Sequence, residues 1–121
     1  MRVLVAALAV CLMAGVVQAA TLAEWTFEVS IPANAGPHAA EGGIFGGDAY
    51  GWHEDESVVY SNPVGNGSLE SFSSNYWSVG DYYEFQTSSL GYTGVEIQFD
   101  QTRSGTGPAT FDLLISTNND N

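Results

Sequence analysis

The sequence predicts an all-β fold, an antiparallel two-sheet sandwich of jelly-roll-like type. Three observations carry that expectation. Apolar and polar residues alternate with a period of two through short runs, the signature of strands with one covered and one wet face. The runs recur at spacings of about 8–12 residues and are separated by Gly-rich turns, the rhythm of a sandwich. No window beyond the leader carries an apolar stripe at helical spacing.

The leader has to be set aside first. Met1-Arg2 supplies one positive charge, residues 3–17 are unbroken apolar sequence, and Val17-Gln18-Ala19-Ala20 offers small residues for cleavage. A basic n-region, an apolar h-region and an A-x-A-like site in that order read as a secretory signal peptide. A membrane anchor is the other reading, but fifteen apolar residues fall short of the roughly 20 a spanning helix needs. Leu8-Ala9-Val10-Cys11 is a poor lipobox, because Val10 is bulky and apolar sequence continues past Cys11. The expected organisation is a signal peptide over 1–20, a β-sandwich domain over 21–116, and a polar tail or interrupted turn over 117–121.

Within the domain the elements follow in order. In Leu22–Ile31, Trp25, Phe27, Val29 and Ile31 alternate with Glu24, Thr26, Glu28 and Ser30, which predicts a strand. Residues 32–47 are rich in Ala, Gly and Pro and read as a long loop with room for one short strand near Ile44. Residues 50–53 and 57–60 are short strands separated by the acidic turn Glu54-Asp55-Glu56. Asn62-Pro63-Val64-Gly65-Asn66-Gly67 is dense turn chemistry, since Gly and Asn accept positive φ and Pro presets it. Leu69–Phe72 and Asn75–Val79 are strands, and Gly80-Asp81 turns into a strand over Tyr82–Thr87. There Tyr83 and Phe85 share one face, and Tyr82, Glu84 and Gln86 the other. Val95, Ile97 and Phe99 alternate with Glu96, Gln98 and Asp100, the cleanest pattern in the chain. Ala109–Ser116 closes the set with Phe111, Leu113 and Ile115 inward. The polar end, Ser116 to Asn121, is a turn signal, so the chain is expected to be a piece of a longer one rather than to end in a frayed tail.

Charge excludes whole classes of function. The 121 residues contain no lysine, and Arg103 is the one basic residue left after the leader, so fourteen Asp and Glu leave −13 on the processed chain. Nucleic-acid binding through phosphates and attachment to an anionic membrane surface both need clustered Lys and Arg, and neither is expected. Cys11 lies in the leader, so the processed chain has no disulfide, no Cys-ligated metal and no thiol nucleophile. Export without disulfides points to a bacterial extracellular domain.

The stretch Tyr60-Ser61-Asn62-Pro63-Val64-Gly65-Asn66-Gly67-Ser68, followed by Ser71-Phe72-Ser73-Ser74-Asn75-Tyr76-Trp77-Ser78-Val79-Gly80-Asp81-Tyr82-Tyr83-Glu84-Phe85, resembles an exported domain of environmental bacteria. Many proteins of that family end in a PEP-CTERM sorting signal. Phe99-Asp100-Gln101-Thr102, Ser104-Gly105-Thr106-Gly107-Pro108 and Phe111-Asp112-Leu113 continue the likeness, and Leu22–Phe27 and Gly51-Trp52-His53 resemble its start. The resemblance implies a jelly-roll-like sandwich displayed outside the cell, sometimes ahead of other modules. It brings no catalytic or binding residues with it. The family's Pro-Glu-Pro motif, apolar helix and basic tail are not within these 121 residues.

Candidate chemistry is sparse. Asp48, Glu54, Asp55 and Glu56 are the acids expected to hold a structural Ca²⁺, a hard cation that takes several oxygen ligands; a solvated acidic turn is the plainer reading. His38 and His53, the two histidines, lack the spacing and companions of a zinc site. There is no G-x-S-x-G elbow, no lysine for a Schiff base and no P-loop, so no enzyme is expected. Asn66-Gly67-Ser68 matches a glycosylation sequon but reads as a turn. The aromatics stand out: Tyr50, Trp52, Tyr60, Trp77 and Tyr82 lie near turns, where rings stack on sugars, although large rings also fill sandwich interiors. The expectation is a secreted or cell-surface structural or adhesive module with no catalytic role and no membrane contact after leader cleavage. Its expected partners are extracellular polysaccharide or other surface proteins. A carbohydrate-binding module, or an accessory domain of a larger secreted hydrolase, is the alternative.

Overall fold

A computed structural model describes residues 19–117. The expected signal peptide over 1–20 lies almost entirely outside them, as does the end of the polar tail. Among the described residues there is no helix, and the strands form two antiparallel sheets. The first sheet has the order β1-β2-β5, with β1 at His38–Ala39, β2 at Asp48–Trp52 and β5 at Tyr82–Gln86. The second pairs β3, Tyr60–Ser61, with β4, Ser73–Ser74. The all-β expectation is met, as an arrangement consistent with a β-sandwich.

β2 and β5 are the backbone of the molecule. Their register sets Asp48 against Gln86, Ala49 against Phe85, Tyr50 against Glu84, Gly51 against Tyr83 and Trp52 against Tyr82. Because side chains alternate across a strand, Ala49, Gly51, Tyr83 and Phe85 share the inner face, and Asp48, Tyr50, Trp52, Tyr82, Glu84 and Gln86 the outer. The two-faced division expected for Tyr82–Thr87 is therefore present.

The interior is a layer of rings rather than of aliphatics. Phe72 packs on Tyr83 at 4.5 Å between centroids, on His38 at 5.0 Å, on Phe27 at 5.6 Å and on Tyr60 at 5.8 Å. Trp25 meets Phe85 edge-on at 5.2 Å and donates its indole N–H to the His38 carbonyl. Ala49 is fully buried. Gly51 is small for a reason: the Tyr60 hydroxyl donates to its carbonyl at 3.0 Å, and a Cβ there would come within 2.5 Å of the Tyr60 ring.

Two expectations fail at the ends. Leu22–Ile31 is not a strand; only Glu24 bridges, to Gly42, and Phe27 turns the chain at φ 61°. Glu41 causes the departure locally. Its carboxylate accepts from the backbone N–H groups of Val29 and Ser30 at 2.8 Å and of Glu28 at 3.2 Å, and from the Thr26 hydroxyl. A neighbouring strand cannot take N–H groups already committed to a side chain. Burial pushes the Glu41 carboxyl up, but these donors outweigh it and hold it below the usual carboxylate range.

The carboxyl-terminal patterns, Val95–Asp100 and Ala109–Ser116, are not strands either. Among the described residues, backbone hydrogen bonds from residue 88 onward close turns, Tyr92 to Ser89 and Gly107 to Ser104. Val95, Ile97, Phe99, Leu113 and Ile115 are exposed. Alternation prepares a strand, but only a neighbour satisfying its N–H and C=O groups makes one. The expected strands at 69–72 and 75–79 also shift: pairing falls between them at Ser73–Ser74, and Tyr76 turns at φ 53°.

Candidate functional site

The outer face of β2 and β5 gathers three of the five aromatics singled out for sugar stacking. Tyr50 and Trp52 lie two apart on β2, and Tyr82 stands across from Trp52 on β5. The Tyr50 and Trp52 rings are 6.1 Å apart with planes 30° from parallel; Trp52 and Tyr82 are 6.2 Å apart at 28°. Trp52 and Tyr82 are 47% and 42% exposed, comparable with Phe85 at 51%, and Tyr50 is half-buried.

Polar groups beside the rings are already fixed. Glu84, opposite Tyr50, accepts the Trp52 indole N–H at 2.8 Å on one carboxylate oxygen and the Gln86 amide at 2.7 Å on the other. Two shallow depressions flank this run. One, of about 360 Å³, is lined by Tyr50, Trp52, Asp55 and Glu56 among others; the second, of about 300 Å³, by Trp52, Glu54, Asp81 and Tyr82. Glu84 and Gln86 were missed as site residues in the sequence. Their signal was present, since they follow Tyr82 at i+2 and i+4 on one strand face.

Tyr60 and Trp77 belong elsewhere, a correction to the expected stacking set. Tyr60 stacks on Phe72 inside, and Trp77 packs on His53 at 4.6 Å, on Tyr83 at 5.0 Å and on Phe111 at 5.5 Å. The Trp77 indole N–H donates to the Ser74 carbonyl at 3.0 Å. Sequence proximity to a turn did not distinguish them from Trp52, because the deciding variable is which face of which sheet they meet.

Under those rings lies a polar network that no spacing announced. The Ser74 hydroxyl is 2.9 Å from His53 Nε2 and 2.6 Å from the Tyr83 hydroxyl. His53 Nδ1 is 3.0 Å from Asp81 Oδ2. Asp81 also accepts from the backbone N–H of Ser78 at 2.6 Å and of Glu54 at 2.9 Å. Burial pushes the Asp81 carboxyl up, but those two N–H groups and the imidazole outweigh it and leave it below its ordinary range. Burial likewise drives the Tyr83 phenol up to about 12, against the Ser74 hydrogen bond and with help from Tyr60. Burial, then the Asp81 charge, raises the Tyr60 phenol.

Hydroxyl, imidazole and carboxylate stand here in the order of a Ser-His-Asp relay. The surroundings differ from those of an attacking serine. The His53 side chain is 1% exposed beneath Trp77, Tyr60 and Tyr83; His53 lines both depressions and Asp81 the second, but Ser74 lines neither. As built, the network ties β4 and β5 to the exit of β2.

The four acids expected to hold calcium are not brought together. Asp48 opens β2, and four strand steps, about 13 Å, separate it from Trp52, after which the acidic turn begins. Asp55 accepts from the Ser57 N–H at 2.8 Å, a local turn contact. Among the described residues no three of His, Asp and Glu form a group that could hold a metal ion, and no helix is long and apolar enough to cross a membrane. A scan against protein families, a search of curated proteins and a search of solved structures each return no match.

Proposed function

We propose that the chain is an exported, non-catalytic adhesive module that holds carbohydrate on the outer face of β2 and β5, at the cell surface or in the extracellular matrix. The run of half-buried Tyr50 with exposed Trp52 and Tyr82, beside a carboxylate and an amide fixed in place, carries the reading. Rings of this kind pack on the C–H faces of sugars, while a few positioned polar groups orient the hydroxyls. Aromatic runs also stack nucleobases, but a phosphate backbone needs basic residues, and the surrounding charges here are acidic. Export rests on the leader. Jelly-roll connectivity and surface display rest on the resemblance to the PEP-CTERM-associated domain. The absence of catalysis is supported by the ring cover over His53.

The test is a glycan array and sedimentation on insoluble polysaccharides with the processed protein. Binding is expected, and is expected to be lost in Trp52→Ala and Tyr82→Ala proteins with unchanged circular dichroism. Retention of no glycan, or binding indifferent to both substitutions, overturns the proposal. A fluorophosphonate that labels Ser74 in wild type and not in His53→Asn would make the module an enzyme. N-terminal sequencing of material outside the cell is expected to begin at Ala20 or Thr21.

A further inference from the structure

The structure assigns Asn66 as a site of covalent self-modification, where the side-chain amide is lost as ammonia and the residue becomes aspartate or isoaspartate. The site shares no residue with the ring face of β2 and β5. It lies between β3 and β4, in a turn that Gly65 closes by donating its N–H to the Ser68 carbonyl at 3.1 Å. Asn66 and Gly67 are both exposed, Gly67 has φ 82°, and a Cβ built on it would meet nothing within 4 Å. Among the described residues neither the Asn66 amide nor the Gly67 N–H has a hydrogen-bond partner. An exposed turn with a bare glycine leaves the two groups free to approach each other.

The other described asparagines each lack part of this arrangement. Asn62 precedes Pro63, which carries no N–H to react. The Asn34 side-chain oxygen accepts the Gly36 N–H at 2.8 Å, and that of Asn75 accepts the Val59 N–H at 2.7 Å, so both amides are tied down. Side chains on Ala35 and Tyr76 also crowd the nitrogens that would have to attack. At Asn66 the reaction is intramolecular, so proximity supplies the rate and water is the one co-reactant. The Gly67 nitrogen gives up its proton and bonds to Asn66 Cγ. The Cγ–Nδ2 bond breaks, and Nδ2 takes the proton and leaves as ammonia. Water then opens the resulting cyclic imide at either carbonyl. Attack at Cγ gives aspartate; attack at the main-chain carbonyl gives isoaspartate, whose backbone runs through Cβ and Cγ. Either product adds one carboxylate to the turn.

The experiment holds the processed protein in neutral buffer beside a synthetic peptide of residues 57–70, which sets the clock. Cleavage after glutamate puts Asn34, Asn66 and Asn75 on separate fragments, residues 29–41, 57–70 and 71–84. Residues 57–70 are expected to gain about one dalton, the exchange of amide for acid, at the pace of the free peptide. They are expected to take up one heavy oxygen from labelled water and to yield two products of equal mass, both altered at position 66. The intact protein is expected to elute later from an anion exchanger, and residues 29–41 and 71–84 to keep their mass. Asn66→Gln and Gly67→Ala are expected to lose the conversion over the same period. No gain in residues 57–70 by the time the peptide has converted, equal gains at Asn34 or Asn75, or a glycan on Asn66 in its place overturns the assignment.

Discussion

The two faces of the β2–β5 pair are made of the same strands and both carry aromatic rings, yet they meet different surroundings. Inward, Tyr83 packs between Phe72 and Trp77, and its hydroxyl shares a hydrogen bond with that of Ser74. Outward, one residue away, Tyr82 lies beside Trp52 and is 42% exposed. Parity along the strand decides which neighbours a ring meets, although Phe85 on the inner face is itself 51% exposed. Inner-face Tyr83 meets Phe72, Trp77 and His53, whereas outer-face Trp52 meets Tyr50 and Tyr82.

The sharpest way to break this comparison is to truncate one ring on each face. Tyr83→Ala is expected to lower stability by about 3 kcal/mol in urea unfolding, as loss of a packed aromatic does. Trp52→Ala is expected to cost less than about 1 kcal/mol, the worth of a cross-strand pair. Equal losses would erase the distinction between the faces. Gly51→Ala, which drives a methyl into the Tyr60 ring, is expected to cost about 1–3 kcal/mol. Gly105→Ala, where a Cβ meets nothing within 4 Å, is expected to be neutral and serves as its control.

Asp81→Asn, which weakens the anchor under the inner network, is expected to cost about 1–2 kcal/mol. The same carboxyl predicts acid behaviour. Its folded pKa, like that of Glu41, lies below the ordinary value, so the unfolded chain binds more protons as pH falls. Stability from both is present above the usual carboxylate range and is lost as pH drops below about 4. Melting of Asp81→Asn is expected to depend less steeply on acid. At the alkaline end the sign reverses. Tyr83 keeps its proton in the folded state up to about 12, so its contribution is present below the ordinary phenol value and lost as pH rises from there toward about 12. Tyr83→Phe is expected to flatten that limb. The smallest effect concerns calcium: with Asp48 at the far end of β2 from Glu54-Asp55-Glu56, melting midpoints with and without EDTA are expected to coincide.

Much of the site was legible where pattern and pairing agree. The alternation over Tyr82–Thr87 placed Tyr83 and Phe85 on one face and Tyr82, Glu84 and Gln86 on the other, and β5 has that division. Tyr50 and Trp52, two apart, were legible as neighbours on a strand for the same reason. The pattern misled wherever a competing interaction took the backbone. Trp25 to Ile31 alternates as well as β5 does, yet the Glu41 carboxylate claims the N–H groups of residues 28–30 and Phe27 turns away. Val95 to Asp100 alternates better than β5, yet has no ladder among the described residues. Tyr60 and Trp77 shared the turn-side setting of Trp52, and nothing local recorded that they face Phe72 and His53.

From its sequence alone this chain has a strong acidic excess, turn chemistry at the Asn-, Gly- and Pro-rich segments, and the parity of each side chain along its own run. Those properties are local, set by composition and by the geometry of one strand. Which rings meet, which acid lies beside Trp52, and how Ser74, His53 and Asp81 converge were decided by tertiary structure. β2 and β5 come together across some thirty intervening residues, and a register shifted by one would exchange the two faces of the pair.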